Sequence, residues 1–490
     1  SLSGEHGDGQ SKAEFLPKMF GPEVVEAFRE FKTIWDPRWR MNPGKVVQPY
    51  RMDENLRLGA GYRPPAVQTH FSYPDDQGSF AHAALRCVGV GKCRRMAGGT
   101  MCPSFMVTRE EEHSTRGRSR ILFEMMRGTE IDLWRSEEVL DALDLCLSCK
   151  GCKAECPVGV DMATYKAEFL SHYYEGKPRP RVAYAMGLIG WWARPASRLP
   201  RAANFVTHAP GLAGLVKRAG GLAPQRDAPS FARQTFRTWY RRRGSRSRPG
   251  SPPVLLWPDT FVNYFHPEVG RATVEVLEAA GYQVRLPSRV LCCGRPLYDY
   301  GMLDTAGRWL RAVLKVLREP IRAGVPVIGM EPSCLAVFRD ELPNLLPKDE
   351  DAERLSRQAV LLSEFLQQRG WTPPTLHRQA IVQGHCHHRA VMGVGAEQAV
   401  MEKMGLDAKI LDSGCCGLAG SFGFEAGEKY DVSMKAGERV LFPALRQAPL
   451  EALVLADGFS CRTQIEHGTG RRAMHLAEVI GMALRQEAVS

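Results

Sequence analysis

The chain has 490 residues and a mass of 54.5 kDa, enough for roughly three domains of ~150 residues. Its 44% hydrophobic and 24% charged residues exclude disordered and fibrous classes, and its longest apolar stretch, Val182 to Trp192, has eleven residues where a membrane span needs ~18. The net charge is +11, yet sixteen Lys or Arg and a single acid, Asp227, lie between Lys177 and Arg248, so basicity belongs to one segment and gives no warrant for a nucleic-acid-binding fold.

In chain order, the N-terminus reads Ser-Leu-Ser-Gly-Glu-His-Gly-Asp-Gly, without Met, a basic n-region or an apolar h-region. This leads us to expect no secretory signal and a chain that begins inside a longer one. Val24, Val25, Phe28 and Phe31 recur at helical spacing and predict a helix over 22–34, stopped by Asp36-Pro37, with a turn at Asn42-Pro43-Gly44-Lys45. Residues 51 to about 80 are Pro- and Gly-punctuated. Helices are predicted over 114–127, 136–145 and 162–174, followed by the basic, Pro-interrupted segment 177–250, whose Arg-rich end reads as linker.

From residue 251 the chain repeats itself. Short apolar strands at 254–257 and 381–383 each lead to a helix ending at a glycine, Gly281 or Gly405, and then to a second strand. The second strands run into Cys292-Cys293-Gly294 and Cys415-Cys416-Gly417; third strands, 327–330 and 454–457, lead to Ser333-Cys334 and Ser460-Cys461. The alternation predicts two small α/β units with parallel sheets. The expected organisation is therefore 1–50, a helical domain 51–176, a basic helical linker 177–250, and cysteine-rich repeats 251–372 and 373–490.

The fourteen cysteines define the chemistry. Two-residue spacings and adjacent pairs suit metal chelation better than disulfides. Cys146-x2-Cys149-x2-Cys152-x3-Cys156-Pro157 is the bacterial two-cluster ferredoxin run, in which three close thiolates wrap one cubane and the fourth reaches the other cluster. The partner set is Cys87, Cys93 and Cys102-Pro103. By the swapping rule Cys146, Cys149 and Cys152 join Cys102, and Cys87 and Cys93 join Cys156. Val90 stands where the middle ligand of the partner set would fall. That resembles the iron–sulfur subunit of succinate dehydrogenase, which implies a 3Fe–4S cluster; a 4Fe–4S cluster with a water or side-chain ligand is the alternative.

In the second repeat Cys386, Cys415, Cys416 and Cys461 all follow predicted strands, where residues distant in sequence converge at the carboxyl edge of a parallel sheet. The first repeat has Cys292, Cys293 and Cys334, with Thr260 at the position of Cys386. These elements resemble the cysteine-rich domain of heterodisulfide reductase subunits, of iron–sulfur subunits of glycolate oxidase and anaerobic glycerol-3-phosphate dehydrogenase, and of lactate-utilisation proteins. The resemblance implies a further iron–sulfur cluster or a redox-active thiol site, foremost in the second repeat; in the first, buried cysteines packing as small hydrophobes are the alternative. His385, His387 and His388 flank Cys386 and could tune the site, ligate metal, carry protons or form a polar turn. Asp412 and Asp457 read as turn residues.

At the N-terminus, Gly4-Glu5-His6-Gly7-Asp8-Gly9 with the later Asn42-Pro43-Gly44-Lys45 resembles the end of the FAD-linked oxidase C-terminal domain, an α+β domain of D-lactate, D-2-hydroxyglutarate and glycolate dehydrogenases. The resemblance implies Glu5 as a divalent-metal ligand, His6 as the base for the substrate hydroxyl and Asn42 near the flavin. The whole then reads as the iron–sulfur part of a flavin-dependent D-2-hydroxy-acid dehydrogenase, taking electrons from an upstream FAD domain to a quinone or other acceptor. Alternatives are a heterodisulfide-reductase-like thiol or disulfide reductase and a non-catalytic electron carrier or redox sensor. The expected location is cytoplasmic, with the basic aromatic segment on an anionic membrane surface as one option and nucleic acid as the least favoured partner.

Overall fold

Two stretches fold as separate units, Ser1–Pro65 and Ala66–Ser490, in a computed structural model that describes residues 6–56, 58–59, 62–128 and 131–487. In the first, Pro22 opens the helix Pro22–Trp35, where its missing N–H costs nothing. Asp36 ends it: its carboxylate accepts from the N–H groups of Arg40 and Met41, both at 2.9 Å. The expected apolar stripe is present, but no residue of this helix is buried, and Phe31 and Trp35 are 65% and 70% exposed. In the predicted turn Gly44 has φ +71°, and a Cβ there would run into the Tyr50 ring.

The second unit begins with short helices. Ser114, Ser136 and Asp161 cap Thr115–Arg127, Glu137–Asp144 and Met162–Tyr173 by accepting from the N–H groups of Gly117, Val139 and Thr164 at 2.9, 3.2 and 3.3 Å. Met162–Tyr173 is buried along almost its whole length. Its Glu168 accepts from the N–H groups of His70 (2.9 Å) and Phe71 (3.0 Å) and faces His172 Nε2 at 2.8 Å, tying the incoming strap to the helix.

The predicted strands lie in two all-parallel sheets. The first contains β1 (Pro253–Trp257), β2 (Gln283–Arg285), β3 (Val327–Gly329) and β4 (Ala359–Leu361), in the order β2-β1-β3-β4. The second contains β5 (Gln379–Val382), β6 (Asp407–Ile410) and β7 (Leu453–Leu455), in the order β6-β5-β7. Strand β4 is an addition to the sequence reading. Its three residues follow a charged helix, Glu350–Gln358, and offer too short an apolar run to stand out.

One face of each sheet lies in a shared core, while the other faces lie in different clusters. Leu256, Ile328 and Val360 of the first and Ala380, Val382 and Leu455 of the second fall in one apolar cluster with Val479 and Ile480 of the C-terminal helix Leu476–Glu487. That helix lies along Pro267–Ala279 of the first α/β half. A second core joins Phe80, Leu122 and Tyr165 of the cysteine-bearing helical region to Leu310, Leu314 and Leu317 on the helix Leu303–Arg322.

The basic segment is also more than a linker. It forms the helices Arg181–Ala185, Ile189–Ala196, Pro200–His208, Leu212–Gly220 and Phe236–Arg243. Between them Arg226 is 2% exposed and donates to Gly423 O at 2.8 Å and Ser433 Oγ at 2.9 Å, so the segment is pinned to the second α/β half.

Candidate functional site

The loop from Cys146 to Cys152 folds sharply because Ser148 and Lys150 adopt φ +50° and +56°, and the short helix Gly151–Glu155 then presents Cys152. Cys102 sits at the N-cap of Pro103–Thr108. As a result Cys102, Cys146, Cys149 and Cys152 line one small cavity. Their sulfurs meet amide donors: Thr115 N–H donates to Cys102 Sγ at 3.0 Å and Met162 N–H to Cys152 Sγ at 3.4 Å. Burial pushes the Cys152 thiol up to about 12, reinforced by Asp161 and Cys146, and lifts Cys149 far above its usual range, reinforced by Cys386 and Cys152. Burial keeps these thiols protonated, and a bound cation would be needed to hold them as thiolates; four convergent sulfurs are a donor set that fits an iron–sulfur cluster.

Cys93 and Cys87 both lie near the Arg116 guanidinium, whose pKa is held up chiefly by its hydrogen bond with Glu111 and further by these two sulfurs. Cys156, half-buried, borders the same apolar core. A hydrogen bond with Cys102 brings the Cys93 thiol down to about 6 against the effect of burial, so Cys102 touches both predicted sets. Val90 is 61% exposed: it turns outward and covers nothing.

The second repeat gathers four thiols at the carboxyl edge of its sheet. Cys386 follows β5, Cys415 and Cys416 follow β6, and Cys461 follows β7; neighbouring thiols hydrogen-bond in the series Cys386, Cys415, Cys416, Cys461. The hydrogen bond from Cys415 holds Cys386 below the usual thiol range. In the first repeat Cys293 and Cys334 sulfurs are 2.9 Å apart, and Cys292 bonds Cys293 and the Thr260 hydroxyl, the residue that replaces Cys386. All seven thiols are buried.

The histidines divide. His388 is fully buried against Glu397 at 3.4 Å, and burial brings it down to about 4, a neutral core residue. His385 and His387 group with Cys386, with ligating atoms within 4.8 Å of one another, and His387 Nδ1 is 3.5 Å from Cys386 Sγ. Asp412 and Asp457 hold backbone, accepting from the N–H groups of Gly99 and Leu476, both at 2.8 Å.

Two features escaped the sequence reading. Cys149 packs in one cluster with Cys386 and Cys415, so the ferredoxin-like set abuts the second repeat's set. Close backbone approach permits this: a Cβ on Gly414 would collide with the carbonyl of Gly99. In addition Lys150, 1% exposed, lies 3.1 Å from Asp161 and 3.3 Å from Glu341 and contacts Asp340, while Arg295 bridges Glu341 (2.8 Å) and Asp299 (3.0 Å). A lysine inside a Cys-x2-Cys loop was visible, and Asp161 is near it in sequence, but Asp340 stands 190 residues away. At the N-terminus Glu5 lies outside the described residues; His6 is exposed, and Asn42 is exposed in the turn with φ +45°.

Residues 1–46 match the FAD linked oxidases, C-terminal domain; 83–160 the 4Fe-4S dicluster domain; and 259–339 the cysteine-rich domain. A subunit of the anaerobic glycerol-3-phosphate dehydrogenase of Escherichia coli (strain K12) is 30% identical over 288 residues, covering 57% of this chain and 72% of that protein. The chain belongs to the FAD-linked iron–sulfur oxidoreductases. Within this group it is also similar to the D-2-hydroxyglutarate dehydrogenase of Escherichia coli, at 26% identity over 98% of this chain and 51% of that protein. Lactate utilization protein A of Bacillus subtilis is 28% identical over 46% of this chain and 98% of its own length. The chain thus spans about half the length of the D-2-hydroxyglutarate dehydrogenases it matches.

Proposed function

We propose that this chain is the iron–sulfur relay of a flavin-dependent D-2-hydroxy-acid dehydrogenase, passing electrons from an FAD domain to a quinone or other acceptor. The observation that carries the reading is the packing of Cys149 against Cys386 and Cys415, which makes one sulfur path from the ferredoxin-like set to the second repeat. Bound clusters would supply the one-electron steps. Cys102, Cys146, Cys149 and Cys152 would hold a 4Fe–4S cluster, and Cys87, Cys93 and Cys156 a second. With Val90 turned outward that second site has an open ligand position, which favours 3Fe–4S. Cys386, Cys415, Cys416 and Cys461 would hold a third cluster, and Cys292, Cys293 and Cys334 form an incomplete copy. Glu5, His6 and Asn42 keep the roles implied by the oxidase resemblance. The three matched stretches fall inside the proposed domains 1–50, 51–176 and 251–372, with 177–250 and 373–490 completing the division.

The test is anaerobic purification of residues 1–490. Iron, acid-labile sulfide and bleaching by dithionite are expected, with a near-isotropic 3Fe electron paramagnetic resonance signal in the oxidised protein. No bleaching by D-2-hydroxyglutarate or D-lactate is expected, because 46 residues of the oxidase domain cannot enclose a flavin. A chain without bleachable iron overturns the relay reading.

The basic segment supports a cytoplasmic protein lying on the inner face of the membrane. No helix of the described residues is long and apolar enough to cross a membrane. However, Trp191, Leu199, Phe205 and Leu215 are 66–70% exposed, and Arg194, Arg201 and Arg218 lie within a turn of three of them. Apolar anchors with basic neighbours suit an anionic bilayer surface. Co-sedimentation with vesicles should require anionic lipid, weaken with salt and be lost in the double substitution Phe205→Asp, Leu215→Asp. Equal sedimentation with neutral vesicles would count against this placement.

A further inference from the structure

A cavity of ≈ 920 Å³ opens beside the helix Met162–Tyr173, and none of the roles above uses it. Two histidines stand in its wall, His172 on that helix and His70 on the strap, with Trp134 and Asp304 beside them. Both face Glu168, which is wholly buried one helical turn before His172. One ligating atom from each of His70, Glu168 and His172 falls within 4.8 Å of the others. A single carboxylate oxygen, Glu168 Oε1, lies 2.8 Å from His172 Nε2 and 3.2 Å from His70 Nδ1, and it already accepts from the His70 N–H at 2.9 Å. Trp134 stacks on the His172 ring with centroids 4.3 Å apart and planes within 23°, which fixes the orientation of that ring. His70 meets a carboxylate at each ring nitrogen: Glu168 at Nδ1, and Asp304 Oδ1 at 3.3 Å from Nε2. A neutral imidazole carries one proton and can donate to only one of them. The other nitrogen then turns its lone pair towards an oxygen that also only accepts.

We infer that His70, Glu168 and His172 bind one divalent cation of the zinc class, through His70 Nδ1, His172 Nε2 and a Glu168 oxygen. Two imidazoles and one carboxylate are a donor set that suits zinc, and the cavity leaves a fourth position to water. Asp304 then has a role. It accepts the Nε2 proton of His70 and so keeps the lone pair at Nδ1, as a carboxylate behind a metal-bound histidine does. Two carboxylates facing two neutral rings carry two negative charges, which a dication balances. The arginines in the cavity wall are engaged elsewhere: Arg179 donates to Tyr300 O and Gly301 O, both at 2.9 Å, and Arg308 to Thr305 Oγ1 at 2.9 Å. The cation would clamp three stretches that are distant in sequence: the strap at His70, the helix Met162–Tyr173 and, through Asp304, the helix Leu303–Arg322. No cysteine takes part, so the site stands or falls independently of the relay reading.

The experiment dialyses the anaerobically purified chain against zinc chloride. It reads zinc per chain together with X-ray absorption at the zinc edge, because the thiols elsewhere in the chain also attract zinc. The parent should hold one zinc in a shell of nitrogen and oxygen at about 2.0 Å, distinct from any zinc on sulfur at about 2.3 Å. His172→Phe keeps a ring on Trp134 and removes both nitrogens; His70→Gln removes the second imidazole. Each should weaken the nitrogen-bound zinc about a hundredfold, with iron per chain and circular dichroism unchanged. Asp304→Ala alters a side chain that is 89% exposed and should weaken it about tenfold, which tests the site even where a histidine variant folds poorly. Zinc should also slow amide exchange over residues 66–73 in the parent and not in His172→Phe. Zinc on sulfur alone, or nitrogen-bound zinc that survives both histidine variants, overturns the site and leaves a second proton on His70 as the cation between the carboxylates.

Discussion

Cys152→Ser should remove about four irons and four sulfides per chain, because a hydroxyl is a far poorer iron ligand than a thiolate. Cys152 lies at the start of a short helix, 7% exposed, with its sulfur already accepting from Met162 N–H, so no neighbouring side chain can take its place without moving that helix. The loss should not stay local. Cys149, freed from the same cavity, packs on Cys386 and Cys415, and the loop at Gly99 is held by Asp412 of the second repeat. Electron transfer from dithionite-reduced protein to an acceptor at the second repeat should therefore fall along with the iron. Cys461→Ser, by contrast, should deplete only the set in the second repeat. Iron and sulfide analysis on soluble, folded protein is the check. Parental iron content in Cys152→Ser would remove the cysteine from the ligand set.

Glu168→Gln should destabilise the helical region, and the effect should vanish in acid. Burial alone would raise this carboxyl. The hydrogen bonds from His172 and His70 and from the backbone of Phe71 and His70 outweigh it and hold the group at about 2, against an ordinary 4.5. A carboxyl depressed in the folded state contributes stability that is fully present above its unfolded pKa and lost as pH falls through the folded one. The side chain is wholly buried, so the difference corresponds to roughly 3 kcal/mol near neutrality, disappearing between about pH 4.5 and 2. Gln keeps the shape but supplies one carbonyl oxygen where two carboxylate oxygens accepted. Denaturant unfolding of both proteins at pH 7 and pH 3 would measure it. A gap of the same size at both values would show that packing, not charge, is what Glu168 contributes.

Much of the architecture is local in origin and was legible for that reason. Helix starts were marked by Ser114, Ser136 and Asp161, whose oxygens cap the first turn wherever the helix later packs. Cysteine spacing is equally local: two residues between thiols, with left-handed turns at Ser148 and Lys150, brings Cys146, Cys149 and Cys152 to one cavity without help from the rest of the chain. Even the convergence of Cys386, Cys415, Cys416 and Cys461 was foreseeable, because each follows a strand of one parallel sheet, and the carboxyl ends of parallel strands share an edge.

The tertiary structure decided what joins these pieces. The sequence reading treated the two repeats as self-contained; one face of each sheet lies in a shared core, closed by the helix Leu476–Glu487, because neither small sheet can bury both faces alone. It treated 177–250 as a linker, whereas Arg226 is buried on the second half. It paired neither Lys150 with Asp340 and Glu341 nor Cys149 with Cys386. Such pairings follow from which apolar faces meet, a sum of many small dispersion and burial terms spread over distant residues, and no short window of sequence records that sum. Composition and spacing by themselves determined which sulfurs are offered as ligands and which strand ends carry them. The packing of one half on the other determined which of those atoms meet, Cys149 with Cys386 and Cys415.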